Sequence, residues 1–73
     1  MKTSNILSVE HFGIKYIKGL ALSKQHFNNI SCEGFREVVT ETKRGKDTFI
    51  EVLRKDGAVI AYLNKFNLII KEE

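Results

Sequence analysis

The sequence predicts an α+β fold: a small antiparallel β-meander of three to five strands packed with one or two short helices. Three observations carry that expectation. Two β-rich runs, 48–54 and 58–63, flank Asp56-Gly57, a dipeptide that supplies the positive φ angles of a type I′ hairpin turn. The run 66–71 alternates, with Phe66, Leu68 and Ile70 on one face. Upstream, 23–34 opens on Ser23, a helix-start residue, and spaces Phe27 and Ile30 by three, so that they share a helical face.

From the N-terminus, Ser4 or Asn5 can cap a short helix bearing Ile6 and Val9 and ended by Gly13. A strand over 7–12 competes with it. The run 14–18 is short, β-branched and flanked by Gly13 and Gly19, which predicts a strand. One or two helical turns are expected in 23–34, weakened by Asn28-Asn29 and bounded by Gly34. The run 58–63 is apolar on both faces, the mark of a central strand.

Segment 35–42 reads two ways. As a helix it puts Phe35, Val38, Val39 and Thr42 on one stripe, with Glu33 and Glu37 near its start and Lys43 and Arg44 near its end. As a strand it suits Val38-Val39-Thr40, whose β-branched side chains lose χ1 freedom in a helix. Residues 43–47 then form a hairpin loop, and the balance favours the strand. The helix would give the element order of a winged helix-turn-helix, with Lys55-Asp56-Gly57 as wing tip. The strand would give a meander near an Sm-like or SH3-like partly open barrel.

The stretch 49–70 resembles the last three strands of Sm-like RNA-binding proteins, in which a strand pair is followed by a Tyr, a few polar residues and a final apolar strand. Tyr62, Leu63-Asn64-Lys65 and 66–70 occupy those places. The resemblance covers under a third of the chain. Residues 19–34 depart from the family's first-strand pattern, and no RNA-binding residue is carried over.

The chain's 73 residues allow one small domain, 1–73. An apolar content of 42% with five Phe supports a folded core. The single Cys32 excludes an internal disulfide and suits a reducing compartment. Residues 1–5 lack a secretory signal pattern and no apolar run approaches the length of a membrane span. The expectation is a cytoplasmic protein without a cofactor. Frequent Lys, Ile and Asn with no Pro resembles coding in AT-rich bacteria or their phages, and suggests a phage or mobile-element accessory protein.

Chemistry-bearing motifs are scarce. Cys32 could serve as a nucleophile with His11 or His26 as base, but Glu33 beside it discourages ionisation, and a small apolar filler is the simpler role. Two His and one Cys cannot close a zinc site without carboxylates. No nucleophile elbow, P-loop or dinucleotide fingerprint occurs. An enzyme is not expected.

The candidate nucleic-acid or partner contacts are Lys43, Arg44 and Lys46 in one loop and Arg54 and Lys55 at the next turn. A seven-residue strand would set the two groups about 23 Å apart, too far for one patch. The net charge of +3 permits an acidic partner without demanding one. Most aromatics are core candidates, with Tyr16 and Tyr62 the two expected to show a polar tip. The leading expectation is a non-enzymatic interaction or regulatory module that binds a cytoplasmic protein, with self-association or strand pairing through an exposed edge. A small nucleic-acid-binding regulator is the alternative.

Overall fold

A computed structural model of the chain describes residues 3–73. Strands β1 (Ile6–His11) and β2 (Ile14–Lys18) form a hairpin, and β3 (Asn29–Cys32) lies parallel to β2. Strands β4 (Gly34–Thr42), β5 (Gly45–Leu53) and β6 (Val59–Asn64) form an antiparallel meander. Strand β7 (Leu68–Glu72) leaves that meander and pairs antiparallel with β1. Two sheets result, one ordered β3-β2-β1-β7 and the other β4-β5-β6.

The expected α+β class is therefore overturned. Among the described residues the helical pieces are two 3-10 turns, Thr3–Asn5 and Leu22–Lys24. The helix anticipated in 23–34 fails because its supposed shared face does not exist. Phe27 is 92% exposed, whereas Ile30 packs against the core from β3. Extended backbone in 29–32 gains a ladder with β2, which one or two frayed helical turns cannot match. The alternative N-terminal helix is strand β1, and 35–42 lies in β4, as the balance of its residues favoured.

Turn chemistry also differs from expectation. At 54–57 only Gly57 has positive φ, +87°. The Gly57 N–H donates to the Arg54 carbonyl (2.9 Å), and the Arg54 N–H donates to the Ala58 carbonyl (2.8 Å). This is a three-residue loop with a left-handed glycine after the turn, not type I′. Asp56 has no positive φ, and its carboxylate accepts from the Ala58 N–H (3.0 Å) and from Arg54. Two successive positive φ angles occur instead at Phe12 (+50°) and Gly13 (+81°), between β1 and β2.

The inward side chains of both sheets meet in one core of Ile6, Val9, Tyr16, Cys32, Phe35, Ile50, Val52 and Leu63. Tyr16, expected to show a polar tip, is buried there. Beyond that core the β4–β5 hairpin continues unsupported: every residue from 39 to 47 is exposed. This arm accounts for the long axis of a body measuring 44 × 24 × 22 Å.

Candidate functional site

Strand β6 was expected to be central, yet it is the edge of its sheet. Its apolar character on two faces has a different cause. Leu63 and Ala61 point to the core, while Ile60 and Tyr62 stand exposed on the opposite face at 39% and 61%. Directly opposed residues of an antiparallel pair share a face, so the register builds this outer surface in rows. Arg36, Glu51 and Tyr62 form one row across β4, β5 and β6; Val38, Phe49 and Asn64 form the next.

The first row contains the molecule's buried carboxylate. The Glu51 side chain is 3% exposed although it lies on the outer face. Arg36 Nε donates to its Oε1, and the Tyr62 hydroxyl hydrogen-bonds the same carboxylate. Arg36 first, then Tyr62, holds the Glu51 carboxyl below the usual glutamate range; the carboxylate in turn pushes the Tyr62 phenol up. Among the described residues no buried side-chain nitrogen or oxygen lacks a hydrogen-bond partner, so this row is polar structure already satisfied.

The second row floors a groove. A cavity of about 390 Å³ is lined by Val38, Thr40, Phe49, Tyr62 and Asn64. A second, of about 210 Å³, shares Phe49 and Asn64 and extends to Asp47, Thr48, Lys65 and Phe66. Asn64 is the hinge between them and its amide is fixed. Its Oδ1 accepts from the Phe66 backbone N–H (3.2 Å) and from His11 Nε2 (3.1 Å), an arrangement that requires the imidazole proton on Nε2. His11 also meets the Phe12 ring edge-on at 4.5 Å.

Phe12 and Phe66 are 63% and 66% exposed, on turns that enter or leave β1 and β7. Phe12 holds a left-handed backbone that disfavours a bulky L residue. A large exposed ring kept in such a conformation invites a functional reading.

The basic residues fall where the spacing put them, at two ends. Lys43 and Arg44 form the tip of the arm, with Lys46 next to it on β5; Arg54 and Lys55 lie past the other end of β5. That nine-residue strand separates the groups by about 27 Å. Arg54 is further tied to Asp56 through two hydrogen bonds, and its guanidinium first, then the Ala58 N–H, holds the Asp56 carboxyl down at about 2. No common surface unites the five.

Cys32 is buried in the core, and desolvation pushes its thiol up to about 11. A thiol so placed is a packing group. His26 sits in the exposed link between β2 and β3, exchanging backbone hydrogen bonds with Asn29, apart from His11. No cluster of three or more His, Cys, Asp or Glu side chains suited to a metal forms among the described residues. No described helix is long and apolar enough to cross a membrane.

The residues that sequence reading missed are Val38, Phe49, Asn64 and Phe66. None of the four lies in 58–63; the only hint of the face they share was the two-faced apolarity of that run, which marks an exposed apolar face as readily as a central strand. Comparison of the chain with protein-family models, with curated proteins and with solved structures finds no match.

Proposed function

We propose that this chain is a non-enzymatic interaction module that binds a protein partner through the outer face of the β4–β5–β6 sheet. The observation that carries the reading is the exposed apolar surface of an edge strand, Ile60 and Tyr62 of β6, continued by the groove over Val38, Phe49 and Phe66. Contiguous apolar and aromatic surface with satisfied polar groups at its centre suits a protein interface. The Arg36–Glu51–Tyr62 row presents no unpaired charge that a partner would have to bury.

The nucleic-acid alternative has less support. Its five basic residues occupy two separated places, and the three on the arm are flanked by Glu41 and Asp47. A tagged pull-down from lysate with and without nuclease tests the choice. The wild type is expected to retain a protein partner that Phe66→Ser, an exposed change, releases. Retention by Phe66→Ser, together with salt-sensitive capture lost in Lys43→Ala/Lys46→Ala, would transfer the function to the arm tip.

A further inference from the structure

We propose that β4 pairs antiparallel with β4 of a second copy, centred on Thr40, so that two chains form one continuous sheet β6-β5-β4-β4-β5-β6. This inference concerns the edge of the sheet and does not depend on the groove.

Four strands lie at sheet edges, and they are not equivalent. β3 is four residues long and β7 five. β7 meets β1 through a register shift between Ile6 and Ser8, and β6 meets β5 through one between Val52 and Leu53. β4 is nine residues long, and its ladder with β5 runs without a shift from Gly34↔Leu53 to Thr42↔Gly45. Natural edges are blunted by shortness, bulges, Pro or Lys. β4 has no bulge, Pro or Lys between Gly34 and Thr42; it also contacts the Thr3–Asn5 turn, and its charged residues are Arg36, Glu37 and Glu41. Its Glu41 stands opposite Lys46, so that charge is matched within the hairpin.

The arm supplies a second reason. A two-stranded ribbon alone is marginally stable in water, yet this one leaves the core at residue 39 and stays paired to the turn. A third strand laid along it would cover that deficit.

The free stretch is compatible with itself. Pairing centred on Thr40 sets Thr40 against Thr40 of the second copy, Val39 against Glu41, and Val38 against Thr42. It places no like charges directly opposite in this stretch, and Thr–Thr pairs are favourable neighbours across strands. Moving the centre to Glu41 would oppose two carboxylates. Because opposed residues share a face, the two-fold axis stands perpendicular to the sheet, and both outer grooves lie on the same side. The paired stretch is short, which predicts a concentration-dependent dimer of the weak class.

Sedimentation across a concentration series tests this. The wild type is expected to rise toward twice the monomer mass, whereas Val39→Pro, which removes an N–H that faces away from β5, and Thr40→Lys stay monomeric and keep the wild-type circular dichroism. Thr40→Lys guards against a folding defect of the proline variant, since it only sets two ammonium groups face to face. Thr40→Cys should form a disulfide-linked dimer under a mild thiol oxidant much faster than Val39→Cys, with Cys32 buried in both. A wild type that remains monomeric throughout, a dimer that survives Thr40→Lys, or faster linkage through Val39→Cys would each overturn the proposal.

Discussion

The two halves of the β4–β5 hairpin share one unbroken register but not one environment. In the basal half, Phe35, Ile50 and Val52 are buried against sheet β3-β2-β1-β7, and the outer face is closed by the Arg36–Glu51–Tyr62 row. In the distal half, Val39 is 52% exposed, and Thr40, Thr42, Lys43, Arg44 and Asp47 are exposed as well. The basal half is held by burial. The distal half is held by cross-strand pairs and by its turn, where the Thr42 hydroxyl donates to the Gly45 carbonyl (2.9 Å) and accepts from the Arg44 N–H (3.2 Å). Hydrogen-bonded geometry alone therefore says little about where stability resides; what lies beneath the ladder decides it.

That contrast sets the scale of substitution effects. Ile50→Ala removes most of a side chain that is 2% exposed at the centre of the core. Loss of transfer free energy plus a cavity should cost about 2–5 kcal/mol, read as a fall in denaturation midpoint. A cost under about 1 kcal/mol would mean that the basal half does not anchor the hairpin. Native-state hydrogen exchange should agree, with amides of 50–52 protected to near the global stability and those of 40–47 exchanging through local opening.

The packed body tolerates strain that the arm could not. Phe12 keeps φ at +50° in the β1–β2 turn because the flanking Val9↔Tyr16 and His11↔Ile14 pairs hold the hairpin together. Asn occupies that region far more readily. Phe12→Asn should raise stability by about 1 kcal/mol, since an exposed ring loses little packing. The same variant should weaken partner capture if the ring belongs to the interface. A loss of stability would show that the edge-on contact with His11 outweighs the backbone strain.

How much of this was legible follows the same division. β-rich, β-branched runs marked the strands β2, β5 and β6, alternation marked 66–71, and the strand reading of 35–42 rested on Val38-Val39-Thr40. What was hidden depends on partners distant in sequence. Parallel pairing of β3 with β2 recruits Ile30 and Cys32 to the core, and no local pattern in Asn29–Cys32 announces it. Departure of β7 to join β1 is likewise a tertiary choice. The candidate groove was hidden for a further reason: apolar residues on both faces of 58–63 look alike whether the second face meets another sheet or waits for a partner. Tyr62 was anticipated at the surface, but its bond to Glu51 needs the cross-strand register.

The smallest expected effect is the most discriminating. Val39→Thr preserves shape and β-branching on a residue half open to solvent. In dilute solution, where the chain is a monomer, it should shift stability by less than about 0.5 kcal/mol. Directly opposite the wild-type side chain in β5 stands Thr48, not an apolar residue. At concentrations where β4 pairs with a second copy, Val39 lies directly against Glu41 of that copy, and its methyl group is removed from water by the glutamate stem. The cost of Val39→Thr should then grow with protein concentration, as burial acquired by association must. An effect large at every concentration would show that the distal half is packed within a single chain, and the difference between the halves of the hairpin would be one of degree. An effect small at every concentration would leave the arm an unsupported ribbon and remove the reason for a third strand beside it.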